Sequence, residues 1–314
     1  MPFPKGSSPL LEASCDGAGD QTMCDNDSMD EALEYELKSA ALSRRRFGAL
    51  TVGTGLASCL PPLANALTVE EAEVEIGTPD GKADAYFVHP ARGVHPGVLV
   101  WPDIFGLRPA FRQMGKRLAE SGYSVLVVNP FYRTKKAPTS PEHANFQDPA
   151  TRQALTALMM SLTPERVVSD ARAYVPYLER QHSVDRERKM ATTGYCMGGP
   201  FTLRTAAAFP ERIGAGASFH GANLVTDGPD SPHLLIPAIK AQFLIAIAEN
   251  DDKRQPDAKN VLREAFAKAH LPAEIEVYAG TLHGWCPPDS RVYNHEQAER
   301  AWSRMMALVD RALA

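Results

Sequence analysis

Thr193-Gly194-Tyr195-Cys196-Met197-Gly198-Gly199 joins two runs of different character. Before it, Lys189 to Thr193 reads as a short β-strand; after it, Pro200 to Phe209 reads as a helix. Gly194-Tyr195-Cys196-Met197-Gly198 has the spacing of a nucleophile elbow, G-x-S-x-G, with cysteine at the serine position. The spacing has a steric cause. A strand that turns sharply into a helix forces its middle residue into a strained conformation with the side chain presented outward. Glycines two before and two after remove the Cβ atoms that would collide across the turn. The following helix N-terminus offers N–H groups and a positive dipole end to a thiolate or an oxyanion. Taken alone, the same pattern also fits a buried cysteine beside a glycine-rich strand end.

Working outward, short apolar strands alternate with helices. Val69 to Ile76 and Ala83 to His89 read as strands joined by the turn signal Pro79-Asp80-Gly81. Gly97 to Trp101 is a short continuous apolar run, the pattern of a strand buried on both faces, and Ser124 to Val128, Ile213 to Phe219 and Gln242 to Ala248 read as further buried strands. Glu274 to Tyr278 adds another strand. Helical patterns cover Pro109 to Ser121, with Gly122 as a C-cap, then Pro149 to Leu162, Glu165 to Gln181, Pro256 to His270 and Val292 to Leu313. Phe131 to Gln147 reads as a long loop rich in proline and basic residues. This alternation predicts an α/β fold, a doubly wound and mostly parallel sheet with helices on both faces.

In such a sheet, ligands sit at the carboxyl ends of the strands. The reactive side chains just beyond strand ends are Asp103, Cys196, Asp251, Asp252 and His283. Their chain order, nucleophile then acid then histidine, is one that a catalytic triad uses.

From about Val69 to Ala314 the chain resembles the dienelactone hydrolase family of α/β-hydrolases. The matching pieces are Trp101-Pro102-Asp103-Ile104-Phe105-Gly106, the elbow, Glu249-Asn250-Asp251-Asp252, and His283-Gly284-Trp285. The resemblance implies a cysteine hydrolase that opens a lactone or cleaves a small-molecule ester without metal or cofactor. It implies Cys196 as nucleophile, His283 as base and Asp251, ahead of Asp252, as the acid that orients the imidazole. It assigns the oxyanion hole to the main-chain N–H groups of Ile104 and Met197. It places Asp103 where the family carries a thiol-activating glutamate, although a turn-capping aspartate is the other reading. Arg133 matches the family arginine that grips a substrate carboxylate. The second family arginine has no clear counterpart after His283, with Arg291 the nearest, so an uncharged or bulkier ester is favoured over a carboxylate-bearing lactone. Trp285, Phe105, Tyr132 and Tyr195 are candidates for an apolar pocket or for plain core. His220, at the end of the Ile213 to Phe219 strand, reads as a structural histidine or a substrate contact. Thioester or peptide cleavage would use the same apparatus, and a non-catalytic envelope binding protein is the reading without chemistry.

The N-terminal region has a different character. Residues 1–66 read as a disordered acidic extension, with a short helix near Asp30 to Leu42, followed by an export signal; residues 67–314 read as one domain. Ser43-Arg44-Arg45-Arg46-Phe47, the uncharged run Gly48 to Leu60 and Ala64-Asn65-Ala66 make a twin-arginine type of signal, which implies the matching export machinery as a partner and a periplasmic or otherwise exported location. Leu56-Ala57-Ser58-Cys59 also fits lipidation at Cys59. Cleavage after Ala66 would leave Cys196 and Cys286 as the two cysteines, so no disulfide framework is expected, though a regulatory Cys196–Cys286 pair is conceivable. A net charge of −5 and the lack of a basic patch with interleaved aromatics argue against nucleic acid as a partner. No apolar run reaches the roughly 18 residues of a membrane span, and no C-x-x-C or H-E-x-x-H spacing suggests a metal.

Overall fold

The computed structural model describes residues 66–142 and 144–314. The acidic extension and export signal expected from the sequence, up to Asn65 and with Cys15, Cys24 and Cys59, lie outside the described residues.

Strands β1 (Val69–Thr78) and β2 (Gly81–Pro90) form the expected hairpin, closed by the pair Thr78 and Gly81. The turn needs a left-handed residue, and Gly81 supplies it at φ 136°. Then come β3 (Gly97–Trp101), helix α1 (Pro109–Glu120), β4 (Ser124–Val128), α2 (Pro149–Met160), α3 (Pro164–Glu179), β5 (Met190–Tyr195), α4 (Gly199–Ala208), β6 (Ile213–Phe219), β7 (Gln242–Ala248), α5 (Glu249–Arg254), α6 (Ala258–Lys268), β8 (Ala273–Tyr278) and α7 (His295–Ala312). The eight strands form one sheet in the order β1-β2-β4-β3-β5-β6-β7-β8. The β1–β2 and β2–β4 pairs are antiparallel; every pair from β4 to β8 is parallel.

Two apolar layers sandwich the sheet, and the alternation of side chains along each strand divides them. Val98 and Val100 of β3 lie in one apolar layer with Phe111 of α1 and Met305 of α7. Leu99 and Trp101 face the other way, where Trp101 meets Tyr174 of α3 and Phe201 of α4, in the layer that also holds Phe266 of α6. Helices of both layers present strong apolar stripes, and caps fix where several begin: Asp148 accepts from Thr151 N–H, Thr163 from Arg166 N–H and Asn294 from Gln297 N–H.

Two elements depart from the sequence reading. Glu249–Arg254, given no element in the sequence reading, is helix α5, and the following helix starts at Ala258 rather than Pro256. All six residues of α5 are polar, so no apolar periodicity betrays it. Pro232–Ala238 forms a 3-10 turn held between two prolines, Pro232 and Pro237, which conceal its helical character from propensity.

Candidate active site

Because β3 to β8 run parallel, their carboxyl ends share one edge of the sheet. That edge gathers Asp103 after β3, Arg133 after β4, Cys196 after β5, His220 after β6, Asp251 after β7 and His283 after β8.

The elbow forms at the β5–α4 junction. Cys196 opens a 3-10 turn, Cys196–Gly198, and adopts φ 51°, a left-handed conformation that non-glycine residues rarely hold. A Cβ on Gly194 would fall on the Gly198 carbonyl. One on Gly198 would strike the Trp101 carbonyl and lie 2.7 Å from that of Pro102, so this glycine lets the elbow press against the loop after β3 that carries Ile104. Met197 and Ile104 are both buried there, which brings the two expected oxyanion donors to adjoining segments.

His283 Nδ1 lies 2.8 Å from Asp251 Oδ2, and its main-chain N–H donates to Asn250 Oδ1 at 2.8 Å. Helix α5 thus orients the histidine loop through two consecutive side chains. The sequence reading quoted Asn250 in its motif but gave it no role; its position beside the candidate acid was the available signal. Burial opposes charge on His283, but the Asp251 carboxylate and then the Cys196 sulfur outweigh it and raise the pKa well above the ordinary histidine value. Nε2, the other ring nitrogen, is buried and makes no hydrogen bond of normal geometry, even though the sulfur is near enough to act on the ring's charge. Catalytic contacts are commonly loose without substrate. Asp251 is 4% exposed, with Arg254 at 3.8 Å from its Oδ1. Asp252 is engaged elsewhere, by Lys259 Nζ at 2.6 and 2.8 Å.

Several expected roles do not match the contacts. Arg133, expected to grip a substrate carboxylate, is already committed: its guanidinium holds Asp170 with two hydrogen bonds of 2.7 and 2.8 Å and reaches Asp80 at 2.7 Å. Tyr132 joins that network through Asp170 at 2.8 Å. Asp103 is likewise neutralised. Arg108 grips it at 2.6 and 3.0 Å while holding Asp289 at 2.7 and 3.0 Å, and Asp103 Oδ1 accepts the Phe105 N–H at 2.9 Å. The capping role of Asp103 is therefore realised, and its paired charge leaves little to act on a thiol. Arg108 itself was missed by the sequence reading. Arg291 is exposed. Trp285 is buried core, stacked on Tyr278 at 5.3 Å, and Tyr195 stacks on Phe219 at 4.8 Å in the layer away from Cys196. Phe105 is half-buried against Phe146. Cys196 and Cys286 are free thiols in opposite apolar layers, so the suggested disulfide is not formed. Among the described residues no helix is long and apolar enough to cross a membrane, and no group of His, Cys, Asp or Glu is arranged to hold a metal.

The strand order, the elbow and the Asp–His pair at strand ends define an α/β-hydrolase. Residues 83–313 match the sequence model described as the dienelactone hydrolase family. The chain belongs to that family. It is 28% identical over 290 residues, 87% of this chain and 96% of the other, to a Methylorubrum extorquens protein provisionally named a carboxymethylenebutenolidase. It is 26% identical over 224 residues, 69% of this chain and 81% of the other, to the carboxymethylenebutenolidase of Rhodococcus opacus. A crystal structure from Klebsiella pneumoniae, provisionally described as a dienelactone hydrolase, superposes with a TM-score of 0.67 at 25% identity, covering 77% of this chain and 99% of that one.

Proposed function

We propose that this hydrolase cleaves an ester or lactone of a small molecule through a thioester on Cys196. The observation that carries the reading is the 2.8 Å bond from His283 to Asp251, in a ring whose charge is also favoured by the Cys196 sulfur. His283 takes the thiol proton, and the thiolate attacks the substrate carbonyl. The resulting oxyanion is met by the N–H groups of Met197 and Ile104, donors that are typically worth about 10²–10³ in rate each. Collapse expels the alcohol oxygen, which takes the proton from His283. Water then attacks the thioester with His283 as base, releasing the acid and restoring the thiol. Asp251 keeps the imidazole in the useful tautomer and stabilises its charged form.

With Arg133 and Arg108 each bound to two carboxylates, an uncharged acyl group suits the site better than a carboxylate-bearing lactone. A panel of uncharged and anionic chromogenic esters, run on the wild type and Cys196→Ala, tests both points. Turnover should favour the uncharged esters and vanish in Cys196→Ala with folding unchanged; full activity in that variant refutes the thioester route. Export by the twin-arginine route remains part of the proposal, supported by Ser43 to Phe47 and Ala64-Asn65-Ala66. The N-terminal residue of the protein recovered from a periplasmic fraction tests it: Leu67 is expected, and an intact leader on cytosolic protein contradicts it.

A further inference from the structure

The turn after β6 grips the elbow from both sides. The Cys196 main-chain N–H donates to His220 Nδ1 at 3.1 Å, and the Cys196 carbonyl accepts from Ala222 N–H at 3.1 Å. Between those two contacts the chains touch, since a Cβ on Gly199 would lie 2.5 Å from Gly221 Cα. His220 is itself anchored to β7, its N–H donating to the Ala246 carbonyl at 2.7 Å, and it too is left-handed, at φ 37°. Its ring is 1% exposed and wedged between His283 and Trp285, at 5.1 and 5.2 Å between ring centroids. The ring therefore cannot swing away from its contact.

Nδ1 accepts this hydrogen bond, so it carries no proton; the ring proton sits on Nε2 and the imidazole is neutral. Burial, followed by the charge on His283, keeps it that way by lowering its pKa well below the ordinary value. A protonated ring would set one N–H against another.

We propose that His220 is a positioning residue for the nucleophile: its Nδ1 holds the Cys196 main-chain N–H and so keeps the cysteine in the left-handed conformation that presents its sulfur to His283. The inference rests on the reading of Cys196 as nucleophile. It also accounts for the division of labour at the elbow. The N–H of Cys196 is engaged by His220, leaving the oxyanion to the N–H groups of Met197 and Ile104.

The test compares His220→Leu, which fills the space without an acceptor, with His220→Asn, whose carbonyl oxygen sits the same number of bonds from the backbone as Nδ1. Three quantities are read: kcat and KM on a chromogenic ester, the rate of Cys196 alkylation by iodoacetamide, and Tm. Releasing the elbow, and with it the placement of the sulfur, is expected to cost His220→Leu roughly 10- to 100-fold in kcat, with KM little changed and alkylation slowed. His220→Asn should recover most of both rates. Wild-type kcat and alkylation in His220→Leu, or an asparagine variant as impaired as the leucine one at equal Tm, overturns the proposal. Should His220→Leu fail to fold, His220→Gln replaces it, because its acceptor lies one bond farther out; equal rates for Asn and Gln then overturn the proposal. Failure of the nucleophile reading is separate, showing as turnover that survives in Cys196→Ala, whereas the alkylation rate reports the placement of the thiol in either case.

Discussion

Replacing Asp251 with asparagine keeps the side-chain volume and removes the charge. The carboxylate is 4% exposed and its Oδ2 lies 2.8 Å from His283 Nδ1, so solvent and salt screen the contact little. A hydrogen bond with a charged partner contributes about 1.5–3 kcal/mol. If that contribution is made in the transition state, its loss slows the reaction by about 10- to 150-fold. A second loss comes from the tautomer. The asparagine amide can donate to Nδ1, which places the ring proton on Nε2, the nitrogen that must accept the thiol proton. Together the two effects should lower kcat by about 10³–10⁴. The matched control is Asp252→Asn, which removes only the partly exposed contact with Lys259, a class of ion pair that contributes about 1 kcal/mol or less. The assay is kcat on a chromogenic acyl ester, with Tm measured alongside. A thousandfold drop confined to Asp251→Asn is the expected result; near-wild-type activity in that variant, or a loss that appears at Asp252 instead, refutes the reasoning.

Two further predictions follow from the same contacts. Gly198→Ala forces a methyl group against the carbonyls of Trp101 and Pro102, both backbone atoms that cannot rotate away, so a loss of about 1–3 kcal/mol is expected; thermal unfolding should shift down by about 2–12 °C, and an unchanged Tm contradicts the close approach. The pKa of His283 is raised on folding, so its ionised form adds stability in full below the ordinary histidine range, near about 6.5, and loses it as pH rises through the higher folded value. The Tm advantage of the wild type over His283→Gln, followed from pH 6 upward, should therefore shrink with rising pH; an advantage that grows contradicts the direction of the shift.

The sheet was readable from the sequence because both of its faces are covered. Gly97–Trp101 is a continuous apolar run, and in Gln242–Ala248 six apolar residues follow the opening glutamine. The elbow was readable because its glycines answer a steric demand that is local in sequence. What escaped depends on contacts between distant segments. Nothing near Arg133 in the chain announces that Asp170, on α3, will occupy its guanidinium. Arg108 looks like an ordinary exposed arginine until Asp103 and Asp289 close on it from two loops. The engagement of His220 with the Cys196 N–H likewise arises only when β5 and β6 lie side by side. Helix α5 lacked an apolar stripe because its task is to aim Asn250 and Asp251 at the histidine loop rather than to bury a face.

The central claim is that a covalent acyl group passes through one sulfur. Rapid acid quench of the wild type with a poorly deacylating ester, followed by intact-mass and peptide mapping, reads this directly. The account predicts a mass increase equal to the acyl group, carried by the peptide containing Cys196 and absent in Cys196→Ala. Turnover that proceeds with no acyl adduct, or with the adduct on another residue, would contradict it.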